Sequence, residues 1–140
     1  MIHRIALLAC AVALVVLGVS RHAAHDACAR AQVDALSVTL GRRPVADAAG
    51  IAARLQAHCR DVEELVNGAV AFSRVGALRP AERLAGAAVH REPDRRNAWL
   101  ALSIVLAREG DTVSAGHALD RARALDPVGL ASAPGPASAG

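Results

Sequence analysis

Three side chains near the start of the chain have a spacing that metal binding can use. His22, His25 and Cys28 fall three apart, so a helix would carry them on one face, and imidazole and thiolate are both zinc ligands. A plainer use competes with this. His22 and His25 border an apolar segment and serve it as a polar collar, while Cys28 has a second cysteine, Cys59, with which to pair. No metal and no cofactor are therefore assigned. Other chemistry is sparse. The sequence holds no Gly-rich phosphate loop, no His-Glu-x-x-His and no Cys-x-x-Cys. His58, His90 and His117 are scattered over separate segments, where an imidazole is more often a surface residue. Asp26, Glu63 and Glu64 lack a partner carboxylate at a spacing suited to acid–base work. The expectation is a protein that is not an enzyme.

The elements that must position these residues are helices. Alanine and leucine dominate the middle of the chain, and the aromatics are limited to Phe72 and Trp99, so good helix formers abound and sheet formers are few. An all-α fold follows. The 140 residues carry a net charge of +3, mostly from scattered arginines, several of them a helical step from Asp or Glu. No basic stripe interleaved with aromatics is present, which excludes nucleic acid as the expected partner.

Ile5 to Val19 is a run of fifteen residues without charge, preceded by Arg4 and followed by Ser20 and Arg21. A bilayer core usually takes about 20 helical residues and accepts roughly 17. With the stems of Arg4 and Arg21 reaching toward the head groups, residues 4–21 make a short uncleaved anchor. Cleavage after Ser20, giving a secreted chain, is the alternative. Cys10 lies inside the apolar run, which continues nine residues beyond it, so it reads as a buried thiol and not as a lipidation site. The expected location is a bacterial-type cell membrane, single-pass, with the rest of the chain outside the cytoplasm.

Gly and Pro punctuate the region that follows. They leave candidate helices Asp26–Leu40, Val45–Cys59, Val62–Val75, Pro80–Arg91, Arg96–Arg108 and Thr112–Leu125. Gly41, Gly76 and Gly110 each stand just past a helix end, where the chain needs a left-handed residue. Pro80 suits a first turn, Asp61 or Arg60 precedes the third helix, and Asp111 or Thr112 can cap the sixth. Sliding the chain over itself by 34 residues aligns Arg74 with Arg108, Gly76 with Gly110, Ala81 with Ala115, Ala88 with Ala122 and Pro93 with Pro127. These matches fall at turns and at small-residue packing positions, as a repeated helix pair requires.

In this pattern the chain resembles the tetratricopeptide (TPR) family. Residues 96–129 carry Trp99, Leu102, Ser103, Leu106, Ala115, Leu119, Ala122 and Pro127 at the family's positions. Residues 62–95 carry Leu65, Gly68, Ala69, Phe72, Ala81, Ala85, Ala88 and Pro93, with Gly68 where the family usually has Leu. The resemblance implies a solenoid of antiparallel helix pairs behind the N-terminal membrane or signal-anchor helix. The expected division is 1–25 anchor or signal, 26–127 repeat domain (26–61 a degenerate first hairpin, 62–95 and 96–127 repeats) and 128–140 a tail of disordered composition.

The first hairpin matches poorly. Asp34 and Asp47 occupy positions that usually pack, and Cys59 stands where the closing Pro would be. Cys28 near the start of one helix and Cys59 at the end of the next would lie side by side in an antiparallel pair, which permits a disulfide. The alternative is two unpaired buried cysteines in a cytoplasmic protein. The resemblance further implies a concave groove lined by the first helix of each pair, accepting a peptide or helix of a partner protein. Its positions fall on Asn67, Val70 and Arg74, and on Asn97, Leu100, Ile104 and Arg108. Arg74 and Arg108 would receive carboxylates, or else sit as helix-end residues near carbonyls. Two other uses stay open: a structural subunit of a membrane complex with no free peptide ligand, and a small metal- or haem-handling membrane protein. The last helix has no helix after it in the sequence, so its apolar side is expected to be covered by Val128 and Leu130, by another protein, or by a second copy in a homodimer.

Overall fold

The computed structural model describes residues 25–126, and those residues are all-α, with six helices and no strand. We label them α1 (residues 25–39), α2 (Ala48–His58), α3 (Val62–Arg74), α4 (Leu78–Arg91), α5 (Arg96–Glu109) and α6 (Thr112–Leu125). No helix among these residues is long and apolar enough to cross a membrane. The expected anchor over residues 4–21, and the tail from 128 onward, lie outside the described residues.

Each helix ends within one residue of the position expected from the sequence. Gly41, Gly76 and Gly110 take φ of 69°, 78° and 88°, the left-handed conformation that ends a helix without a Cβ clash. The Asp61 carboxylate accepts the Glu63 N–H at 3.0 Å and that of Asp111 accepts the Ser114 N–H at 3.0 Å, so the third and sixth helices have side-chain caps. Several boundaries shift by one residue, and two differ by more. The second helix is opened by a separate 3-10 turn over Val45–Asp47, because Pro44 is extended and its carbonyl takes the Asp47 N–H at 3.1 Å. The fourth begins at Leu78, two residues before Pro80, since Pro80 still falls among the first positions whose N–H has no intrahelical acceptor.

Polar contacts fix the relative directions of the helices. Cys28 at the start of α1 meets Cys59 just past the end of α2, so this pair is antiparallel. Arg96 at the start of α5 lies 3.4 Å from Asp126 just past α6, which makes that pair antiparallel too. Alternate helices run parallel. Asn97 and Glu63, both near helix starts, are bonded at 2.8 Å, while Arg108 near the end of α5 donates to the Ser73 carbonyl near the end of α3 at 2.8 Å. In the same way Arg91 near the end of α4 donates to the carbonyls of Cys59, at 2.6 Å, and Gln56. Packing follows this order: α3 meets both α4 and α5, α2 meets α4, and α5 meets α6.

The core runs along the stack. In α1, Cys28, Ala31, Ala35 and Val38 are buried at helical spacing; Phe72, Leu55, Leu65 and Leu84 fill the middle and are essentially inaccessible. Alanines supply the close approaches. Ala81, Ala88 and Ala122 have no exposed surface and Ala115 is buried as well, so the positions aligned by the 34-residue step face inward on α4 and α6. Trp99 is only half buried and its indole N–H donates to the Pro93 carbonyl at 2.8 Å, pinning the α4–α5 turn. Asp34 is tolerated because it faces outward between Arg54, at 2.9 Å, and Arg43, at 3.4 Å.

Candidate functional site

A helix whose apolar stripe faces the core presents its remaining residues in a strip, and parallel neighbours set such strips side by side. On α3 the strip holds Glu63, Asn67, Val70 and Arg74; on α5 it holds Asn97, Leu100, Ile104 and Arg108. Asn67, Arg74 and Asn97 are exposed, Val70 and Leu100 are half buried, and Ile104 keeps 46% of its surface exposed. The Asn97 amide is engaged with Glu63 across the two helices. Arg108 is drawn onto the Ser73 carbonyl, where its charge meets the negative end of the α3 dipole. Of the two arginines proposed to receive carboxylates, Arg108 thus has a use within the fold and Arg74 extends into solvent.

Between α1 and α3 the surface opens into a hollow of about 200 Å³ lined by Gln32, Ala35, Leu36 and Thr39 on one side and Glu64, Asn67 and Ala71 on the other, with Leu55 and Gly68 beneath. The hollow is mostly apolar, with Asn67 and Gln32 as amides able to bond a peptide backbone. Leu36, with Val33 and Leu40 along the same helix, stands more than half exposed. The α1 residues of this hollow were missed by sequence reasoning. The i, i+3, i+7 spacing of Val33, Leu36 and Leu40 was a signal available for them, since Ala31, Ala35 and Val38 already satisfy the core.

A larger hollow, about 430 Å³, lies at the N-terminal end of the same two helices, bounded by His25, Cys28, Ala29, Gln32, His58, Arg60, Asp61 and Glu64. Cys28 lines it, and the sulfurs of Cys28 and Cys59 are 2.10 Å apart, at disulfide distance, with their Cα atoms 4.8 Å apart. The Glu64 carboxylate oxygen stands 3.2 Å from the Cys28 sulfur, and the Gln32 side-chain N–H points at that sulfur from 3.6 Å. The hairpin argument located the cysteine pair; nothing in the spacing of the sequence located Glu64 beside it, because that contact crosses from α1 to α3. His22, the third member of the suggested histidine face, lies outside the described residues. His90 and His117 are exposed on α4 and α6, far along the chain from this pocket.

No family model matches the chain, and no curated protein matches it.

Proposed function

We propose that this chain is a membrane-tethered adaptor that binds a peptide or helix of a partner protein along the strip formed by α1, α3 and α5. The observation that carries the reading is the parallel registration of α3 with α5. Residues 34 apart, Glu63 and Asn97, are direct neighbours, which supports a helix pair repeated at the step that TPR-like solenoids use. Such a stack leaves one helix of every pair available to a ligand, and here that surface combines an apolar hollow with Asn67, Arg74 and Ile104 at its exposed face. The tether is inferred from the sequence of residues 4–21, and a stapled first hairpin at Cys28 and Cys59 suits an oxidising compartment outside the cytoplasm.

A photoreactive residue placed at Ile104 in the full chain, activated in native membranes and read by mass spectrometry, tests the proposal. It should capture one protein partner, and Asn67→Ala together with Leu36→Asp should reduce capture by about tenfold or more, the weight of a central contact. Capture unaffected by these changes, or capture of lipid alone, overturns it. One observation favours a second reading, a structural subunit of a membrane complex: Val113 on α6 is 71% exposed. A photoreactive residue at Val113 that captures a partner when Ile104 does not would establish that reading instead.

A further inference from the structure

We propose that in the reduced protein Cys28, Cys59 and Glu64 form a binding site for a thiophilic divalent cation, with zinc the fitting chemical class. The two sulfurs and a Glu64 carboxylate oxygen all lie within 4.8 Å of one another, although they come from α1, the end of α2 and the first turn of α3. Tetrahedral zinc holds sulfur at about 2.3 Å and carboxylate oxygen at about 2.1 Å, which places its ligand atoms roughly 3.5 to 3.8 Å apart. Side-chain rotation opens the sulfurs to that separation once the S–S bond is cut. The fourth ligand comes from solvent or from His25 or His58, which line the same 430 Å³ hollow.

The position of Glu64 is what points to a cation. In the disulfide state neither sulfur carries a hydrogen, so a carboxylate at 3.2 Å gains no hydrogen bond from Cys28. A metal ion between them turns the same contact into coordination. Arg60 and Asp61 at the rim offset each other in charge, so the dithiolate and Glu64 leave the site anionic. The chemistry balances with a phosphine as reductant: the disulfide, one phosphine and one water give two thiols and the phosphine oxide. Zinc then displaces both thiol protons to solvent and forms two Zn–S bonds.

The test takes the full chain, reduced with a phosphine under nitrogen, and titrates it with cobalt(II), then zinc. One equivalent of cobalt should produce the thiolate-to-metal charge-transfer absorption of a two-thiolate site, zinc should abolish it, and Glu64→Gln should weaken cobalt binding by about 10-fold or more. Helical circular dichroism is followed in the same titration, so a chain that loosens on reduction should regain its helices at one equivalent of metal. Absence of the charge-transfer band, an affinity unchanged in Glu64→Gln, or metal uptake by a chain that stays unfolded would each overturn the proposal.

Discussion

Gly68 shows how much a single residue decides. It sits mid-helix in α3, where glycine is disfavoured by about 1 kcal/mol against alanine. A Cβ there would stand 2.9 Å from a Leu84 methyl and 3.0 Å from a Leu55 methyl, and both buried leucines would have to shift to admit it. Overpacking of this kind costs about 1–3 kcal/mol, so Gly68→Ala should destabilise the fold by roughly 1 kcal/mol in denaturant melts. Gly86 and Gly116, also mid-helix, have nothing within 4 Å of the same virtual atom, and alanine there should stabilise by up to about 1 kcal/mol. The opposite signs are the check. The sequence marked Gly68 as a departure from the repeat pattern without giving a reason, because the reason is two side chains from other helices. Glu63 and Glu64 make the same point: adjacent and chemically equal, they reach Asn97 and the Cys28 sulfur respectively.

For the helices, boundaries set by local chemistry were legible. The three glycines with positive φ and the aspartate caps are local chemistry, and they were readable as such. The opening of α2 was not, because Val45–Asp47 looks helical by composition and runs directly into Ala48, and only its i to i+3 bonding, Asp47 N–H to Pro44 and Ala48 N–H to Val45, makes it a 3-10 turn. Asp111 gives the elements a pH response. Its carboxyl is held below the ordinary aspartate range by hydrogen bonds from the Ser114 side chain and then the Ser114 N–H. A depressed folded value means the cap contributes fully above the unfolded aspartate value of about 3.9 and is lost as pH falls through the lower, folded value. Asp111→Ala should therefore lower Tm by roughly a few degrees at pH 7, and the difference from the parent should shrink below about pH 4. A gap that stays constant to pH 2 would show that the cap acts by other means.

Across the described helices, stability is expected to follow how each is packed by its neighbours. The middle pair, α3 and α4, holds Phe72, Leu65 and Leu84 with no exposed surface, and is packed on both sides by α2 and α5. The buried residues of α6 are three alanines, so that end has the least apolar surface to lose. Amide hydrogen exchange should thus be slowest in α3 and α4 and fastest in α6, with reduction of the cysteine pair accelerating α1 selectively. Uniform protection across the six helices would contradict this. The six helices were legible from the Gly and Pro punctuation of the sequence and from small residues such as Ala81, Ala88 and Ala122 that are buried where helices meet. The exposed α1 side of the α1–α3 hollow left a trace in the spacing of Val33, Leu36 and Leu40, but the position of Glu64 did not, since which residue of a parallel helix faces the cysteine pair leaves no mark on local spacing.

The arginine clamps carry a consequence for synthesis. Arg91 reaches back to Gln56 and Cys59, and Arg108 to Ser73, so the carbonyls closing α2 and α3 gain their cation only when the next helix but one has emerged from the ribosome. A nascent chain halted before Arg108 leaves the exit of α3 uncovered, so α4 completes α2 and α5 completes α3. Growth in order from the N-terminus is thereby written into the packing.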